Sequence, residues 1–381
     1  MAFEKPTYQH LSKLQQVCMK QNVPFVSYRL PLETGIITLV QHHSLPEKLD
    51  SLQNIDTKKG FVVAPFFETD QHGTYLLEPD CVYFSDEIED VYLNKLSETI
   101  RFLNLKKTSV NGIETTSSNE FIGNVNLALK AMKNSEFKKV VLSKIRLEQL
   151  DDEFSAPEFF LKLCSNYPHA FVYIMQLPGV GCWVGATPEP LLVVEDEKVK
   201  TVSLAGTQVA STNIDIKSYQ WSSKEIEEQG IVTNYVEKLL HSLQIENITK
   251  TGPENYQAAN LIHLKTAFEF PALELKTRFN ELLKALHPTP SVGGLPKTAA
   301  REFIHANEKH DRSYYTGFLG PININEKSAI FVNLRCLQLF QKQFVLYSGA
   351  GITASSIAEN EWIETDNKMM TMMDVMKTPN F

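Results

Sequence analysis

Cysteine is scarce and unpatterned in this chain. Its 381 residues include five, Cys18, Cys81, Cys164, Cys182 and Cys336, an odd number with no C-x-x-C spacing. Disulfide scaffolds and structural zinc sites need paired or clustered thiols, so both are excluded and reduced thiols in a cytosol are expected. No apolar run approaches the roughly 20 residues of a membrane helix. The opening Met1–Gln16 stretch has charges and glutamines where a signal peptide needs an apolar core. Cationic charge is also short: 37 Lys and Arg against 45 Asp and Glu, a net charge of -8. That balance disfavours nucleic acid and anionic membranes as general partners, while leaving room for a local cationic site that takes a small anion. There is no G-x-G-x-x-G turn, no G-x-x-x-x-G-K-[ST] loop and no repeat at a solenoid or propeller period. The expectation is a soluble, cytoplasmic protein, a monomer without an obligate protein partner.

What is present is an ordinary globular composition, 43% hydrophobic and 22% charged, in a chain long enough for one large domain or two smaller ones. Strand patterns fall at Val23–Leu30, Gly35–Val40 and Gly60–Phe66, and a helical pattern at Leu93–Leu103. Residues 105–119 are polar and turn-rich, the best linker candidate. Helices are expected at Glu120–Met132, Pro157–Asn166 and Lys224–Leu243, with shorter ones at 280–286 and 298–309 and one at the C-terminus. Strands are expected at Phe137–Leu147, Ala170–Leu177, Cys182–Gly185, Leu191–Glu195, Ala329–Phe340 and Phe344–Tyr347. Irregular alternation of this kind predicts an α+β fold, sheets flanked by helices, rather than a nucleotide-binding α/β fold.

Several segments could carry chemistry. In the strand pattern from Phe137, alternation puts Lys139 on one face with Phe137, Val141, Ser143 and Ile145, the only charged residue there. Desolvation against apolar neighbours would lower its pKa toward that of a general base; a strand-edge lysine that snorkels to water fits the same pattern. Glu189, in Gly185-Ala-Thr-Pro-Glu-Pro, occupies a tight connection between two strands. A carboxyl partly buried there would serve as a protonated general acid, or be a plain polar turn residue. Ser203-Leu-Ala-Gly206-Thr207 reads as a strand-to-turn element whose glycine lets backbone approach a ligand.

Glu225 and Glu228 are spaced i, i+3 at the start of a long helix, and Glu361 and Glu364 repeat that spacing near the C-terminus. Two such pairs facing each other would supply oxygen ligands to Mg2+. Either pair alone could equally complement a helix dipole or, as with Glu364 and Lys368, make a surface salt bridge. Glu361, Glu364 and Lys368 share one helical stripe, and Trp362, Met369 and Met373 the adjacent one. Just before them, Gly349-Ala-Gly-Ile352 reads as a glycine turn that exposes backbone N–H groups. Arg335, set in the apolar Phe331–Cys336 stretch, needs a carboxylate partner if it is buried. His287-Pro-Thr-Pro-Ser-Val-Gly-Gly294 is a turn-rich loop too specialised to be filler.

Taken in order, these motifs resemble those of the chorismate-utilising enzymes, and among them the isochorismate synthases. The resemblance covers roughly residues 120–377. It rests on Lys139-Val-Val-Leu-Ser, Gly185-Ala-Thr-Pro-Glu189, Leu204-Ala-Gly-Thr207, the Lys224/Glu228 helix, His263-Leu264 and His287-Pro-Thr-Pro. It continues through Tyr315-x-Gly-x-x-Gly320, Leu334-Arg335-Cys, Gly349-Ala-Gly-Ile and Glu361-Trp-x-Glu364-x-x-x-Lys368. The resemblance implies a single large domain like that of anthranilate synthase component I. Residues 1–110 would be its variable N-terminal part and 120–377 the chorismate-binding catalytic region.

The same resemblance implies roles. Lys139 would activate water for attack at C2 of chorismate, and Glu189 would protonate the departing C4 hydroxyl. Mg2+ would bridge Glu228 and Glu364 to the ring carboxylate, with Glu225 and Glu361 supporting it through water. Arg335 and the backbone at Gly349, Ala350 and Gly351 would hold the enolpyruvyl carboxylate, with Tyr347 and Lys368 lining that end. His263, Gly206 and Thr207 match active-site positions, and Ser291 and Val292 lie where the family decides between stopping at isochorismate and going further. The product would feed menaquinone or catechol siderophore synthesis. Salicylate synthases add water first and then eliminate pyruvate, which makes them the alternative. Two positions depart from the pattern: Gln208 stands for a common arginine, and Gln229 for a common histidine.

Overall fold

The computed structural model describes residues 8–85, 88, 112–209, 216, 219–258, 261–275 and 278–378. The expected helix at Leu93–Leu103 and the linker up to residue 111 lie outside the described residues. Two nine-stranded sheets form the centre. The first runs, in spatial order, through Gly294–Leu295, Lys139–Gln149, Gln343–Ile352, Cys336–Leu339, Gly181–Thr187, Phe171–Leu177, Phe25–Arg29, Ile37–Val40 and Cys81–Phe84. The second runs through Thr249–Ala258, Leu261–Pro271, Lys198–Val209, Pro190–Glu195, Ser328–Val332, Phe318–Ile322, Gly60–Ala64, Thr74–Leu77 and Glu47–Leu49. Strands from the first 85 residues thus complete one end of each sheet. The polar stretch at 112–117 is no free tether either: Thr116 is buried and its hydroxyl accepts the Ile145 N–H at 3.1 Å.

Side-chain alternation puts one apolar face of each sheet against the other. Tyr28, Phe61, Phe171 and Phe331 are buried there, and the Phe171 and Phe331 rings stack at 4.3 Å. Helices cover the outer faces. Gln9–Gln21, Ala156–Asn166 and Ala358–Lys377 pack on the first sheet. Ser223–Ser242 and Phe279–Leu286 pack on the second. In the latter, Phe279, Leu282, Leu283 and Leu286 are buried, an i, i+3, i+4, i+7 stripe on one side of the helix. Ser117 and Ser155 cap their helices, each accepting the N–H three residues on. Among the described residues no helix is long and apolar enough to cross a membrane. The architecture is the expected α+β, helices outside two packed sheets.

Two links between the sheets bring distant parts of the chain together. Gly181–Thr187 belongs to the first sheet and Pro190–Glu195 to the second, so Pro188 and Glu189 form the crossing. The expected single strand Ala329–Phe340 is in fact two. Ser328–Val332 lies in the second sheet and Cys336–Leu339 in the first, and the chain crosses at Asn333–Arg335. Arg335 turns the corner at φ 48, a left-handed conformation that costs energy for a side-chain-bearing residue. Asn333 anchors the corner: Tyr173 Oη donates to its Oδ1 at 2.6 Å, and its Nδ2 donates to the Tyr314 carbonyl at 2.9 Å.

Candidate active site

The two crossings open on one cavity, lined among others by Glu189, Arg335, Glu228, His263 and Lys368. Glu189 is buried in its two-residue link, with Thr289 Oγ1 3.5 Å from its Oε1. Burial pushes its pKa up to about 7, although the nearby Lys139, Thr289, Lys368 and Arg335 pull the other way. The carboxyl is therefore half protonated near neutral pH, the state a general acid needs.

Lys139 opens its strand and is fully buried, but its setting is not purely apolar as alternation alone suggested. Its Nζ lies 2.8 Å from Glu228 Oε1. Burial alone would raise the Glu228 carboxyl. The ammonium of Lys139, backed by Lys224 and Lys368, holds it below the ordinary glutamate value instead.

The Gly349–Ile352 segment is not a turn. It continues the Gln343–Ile352 strand and pairs with Val140–Ser143 in register. The residue alternation of an antiparallel strand nevertheless keeps part of the expected role. Lys368 Nζ donates to the Gly349 carbonyl at 2.9 Å, so that carbonyl faces away from the paired strand. The N–H of the same residue points the same way, as does that of Gly351 two residues on. Both glycines line the cavity. Ala350 does not: its backbone faces the partner strand and its methyl is buried in the core beneath. The contribution expected of Ala350 is therefore corrected to a packing one.

Arg335 is half-buried, and its NH1, itself buried, has no hydrogen-bond partner among the described residues. Burial lowers its pKa only to about 10, so the guanidinium stays charged and open to an anion. His263 donates from Nδ1 to the Gly206 carbonyl at 2.8 Å. Burial, with Arg335 nearby, drops its pKa to about 3, so the ring is neutral and Nε2 is its acceptor nitrogen. Gly206 itself sits at φ +70, where the Lys198–Val209 strand slips register against Leu261–Pro271. The expected turn is thus a bulge inside a long strand. The side chain of Thr207 lies outside the described residues. Ser291 and Val292 line the cavity, and Ser291 Oγ donates to the Leu204 carbonyl at 2.8 Å. Tyr347 lines it with its ring stacked between Trp183 and Tyr315, and its hydroxyl donates to Gln338 Oε1 at 3.2 Å.

The four candidate metal ligands come from two helices. Glu361 is buried with Oε1 2.6 Å from Lys224 Nζ, and Glu364 lies 2.7 Å from Lys368 Nζ. Burial and then the crowding of Glu364 raise the Glu361 pKa. Glu225 accepts from Ser222 and, at 3.2 Å, from Gln208 Nε2. The four carboxylates do not close into a ready cage. Among the described residues, three ligand atoms come within 4.8 Å of one another only at His42, His43 and Asp80. There Asp80 Oδ2 already closes a turn by accepting the His42 and His43 backbone N–H groups. The donor set of Glu225, Glu228, Glu361 and Glu364 is nonetheless all carboxylate oxygen, with like charges crowded and lysines as counter-ions. It fits a hard divalent cation.

Lys224 had no role assigned from sequence, nor did Thr289, and both now contact candidate-site carboxylates, Glu361 and Glu189. Their only sequence signal was membership of a motif. Gln229 is buried, and its Nε2 donates to Ser203 Oγ at 3.1 Å and Thr266 Oγ1 at 3.2 Å, tying helix to sheet.

A half-protonated acid, a guanidinium with an open NH1, a lysine and a glutamate line one cavity, with a second, buried lysine on that glutamate, and together they define an enzyme cleft for a small anionic substrate. The chain belongs to the chorismate-binding enzyme family, whose sequence model matches residues 32–377. It is 26% identical over 266 residues to the vibriobactin-specific isochorismate synthase of Vibrio cholerae, covering 68% of this chain and 67% of that one. Isochorismate synthase EntC of Escherichia coli is 30% identical over 244 residues, 62% of each chain. Two solved structures share the fold. The menaquinone-specific isochorismate synthase MenF of Escherichia coli has a TM-score of 0.76 at 19% identity, covering 96% of this chain and 91% of that one. Anthranilate synthase component I of Streptococcus pneumoniae has a TM-score of 0.62 at 19% identity, covering 92% and 90%.

Proposed function

We propose that this protein is an isochorismate synthase that uses Mg2+. In its neutral amine form, reached by giving up the proton it shares with Glu228, Lys139 takes a proton from water, whose oxygen forms a bond to C2 of chorismate. Both ring double bonds shift, C1=C2 to C1=C6 and C5=C6 to C4=C5, the C4–O bond breaks, and Glu189 gives its proton to the departing hydroxyl. One water enters and one leaves, so the net reaction is an isomerisation and needs no redox partner. Glu228 and Glu364 would hold the Mg2+, supported by Glu225 and Glu361, and the ion would offset the negative charge of the ring carboxylate. Arg335, Lys368 and the N–H groups of Gly349 and Gly351 bind the second carboxylate. His263 and Tyr347 shape the cavity wall, as do Ser291, Val292 and Gly206.

The observation that carries this reading is Glu189, a buried carboxyl with a pKa of about 7 that lines one cavity with Arg335 and with Glu228, the partner of Lys139. The named relatives serve both siderophore and menaquinone synthesis, and the product is assigned to that pair of pathways. All five cysteines are free, which suits the reducing cytoplasm assigned to the protein. The test is incubation of purified protein with chorismate and Mg2+, followed by chromatography. Isochorismate is the expected product. A folded, metal-supplied sample that makes none overturns the reading. Salicylate and pyruvate appearing without an added lyase would move the assignment to salicylate synthase.

A further inference from the structure

Behind the cavity wall lies a second buried ion pair that lines no part of the cavity. Arg312 and Glu308 are almost wholly buried, with NH2 2.6 Å from Oε1 and Nε 2.7 Å from Oε2, a two-pronged contact. Burial would raise the Glu308 carboxyl, but Arg312 holds it below its ordinary value. Ion pairs of this kind are rarely better for stability than apolar residues of the same size, so their remaining hydrogen bonds are informative.

Those bonds converge on the active site from behind. Arg312 NH2 donates to the Val141 carbonyl at 2.6 Å, and NH1 to the Val292 carbonyl at 3.1 Å and Thr316 Oγ1 at 3.3 Å. Glu308 accepts the Ser143 N–H at 2.7 Å and its hydroxyl at 3.0 Å. The Phe66 ring covers the guanidinium, 4.4 Å from its centroid. Val141, Val292 and Thr316 all line the cavity. Val141 and Ser143 follow Lys139 on the same face of one strand, and Val292 belongs to the loop that starts at His287.

We infer that Arg312 and Glu308 are positioning residues that fix the gap between the Lys139 strand and the Val292 loop. The inference rests on the isochorismate synthase reading. The pair contacts neither Arg335, Lys368 nor the glycine N–H groups, so it governs the alignment of the base rather than substrate affinity. Misalignment of a reacting group by about 1 Å is enough to cost up to 10²-fold in rate.

The experiment compares wild type with Arg312→Lys, Arg312→Ala and Ser143→Ala, measuring kcat, KM for chorismate and melting temperature. Arg312→Lys keeps the charge but cannot span the three acceptors. It is expected to fold, lose about tenfold or more in kcat and change KM less than about threefold. Free guanidinium is expected to restore part of the kcat of Arg312→Ala without altering KM. Ser143→Ala removes the hydroxyl's bonds to Glu308 and to His310 Nε2, at 3.0 and 2.8 Å, and about a threefold loss of kcat at near-wild-type melting temperature is expected. Wild-type kcat in folded Arg312→Lys overturns the inference, as does a kcat loss that only follows the unfolded fraction and is not rescued. If Arg312→Lys does not fold, unchanged kcat in Ser143→Ala overturns it. Wild type that makes no isochorismate sinks the functional reading and this inference with it; active wild type beside unaffected variants sinks this inference alone.

Discussion

Lys139 and Glu228 meet across two elements, Nζ 2.8 Å from Oε1, because Gly351 has no side chain. A Cβ on Gly351 would stand 2.2 Å from Glu228 Oε1 and 3.1 Å from Lys139 Cε. The glycine is therefore needed for close approach of side chains as well as for backbone access to the cavity. Gly351→Ala is expected to push Glu228 aside and to weaken both catalysis and metal activation. A fall in kcat/KM of about tenfold or more and a higher Mg2+ requirement in steady-state assays would show it. Unchanged Mg2+ dependence would mean that Glu228 tolerates the shift.

Removing Lys139 should have two separable effects. Lys139→Met takes away the proposed base, with an expected loss of about 10²-fold or more in turnover. It also leaves Glu228 buried without its cation, which costs about 3 kcal/mol in comparable pairs. Added Mg2+ should return part of that stability and none of the activity. Thermal melts with and without Mg2+, set beside turnover, check both halves.

Glu189 links activity and stability to pH. Its folded pKa of about 7 lies above the ordinary 4.5, so the folded state holds a proton that the unfolded state has released between those values. The stability from this group is complete below about pH 4.5 and is lost as pH rises through about 7. Glu189→Gln removes that dependence. The melting temperature of the variant relative to wild type should rise between pH 5 and 8, while turnover falls about 10²-fold or more. In wild type, the rate should decline above about pH 7 as the acid loses its proton. A flat difference in melting temperature would contradict the buried-acid assignment.

His263 should stay neutral through the working range. Burial sets its pKa to about 3, so the Nδ1–H bond to Gly206 persists at every pH used for assay. NMR of labelled histidine should show, among the rings that do not titrate between pH 5 and 8, His287 being another, one that is missing from His263→Asn. Titration of that signal near pH 6.5 would show that the ring is solvated.

Arg335→Lys tests the anion site. A lysine lacks the planar fork and would have to reach the carboxylate from a strained left-handed corner. KM for chorismate is expected to rise about tenfold or more, with a smaller change in kcat. Equal loss in both would place Arg335 nearer to the reacting centre than its proposed role.

Much of this was legible from residue patterns. The helices at Ser118–Lys133, Ala156–Asn166 and Ser223–Ser242 fall within two residues of their sequence-based bounds, because caps and apolar periodicity are local signals. The Thr249–Ala258 strand was not legible. Its Thr-Lys-Thr-Gly-Pro-Glu-Asn run is polar, sits at a sheet edge and slips register, so nothing in it alternates. The break at Asn333–Arg335 was hidden for the opposite reason: apolar residues flank it on both sides.

The order of motifs alone determined the chemical inventory: a lysine, an acid in a tight link, two glutamate pairs, an arginine and a glycine run. These are properties of residue type and short-range spacing, which a sequence states directly. Only the tertiary structure decided how they meet. It made Glu189 and Arg335 neighbours by crossing the chain between sheets in two places. It turned the glycine run into a paired strand, and it gave Lys139 a carboxylate partner from a distant helix. Such relations depend on strand register and on desolvation by residues far away in the chain, and neither is written in local pattern.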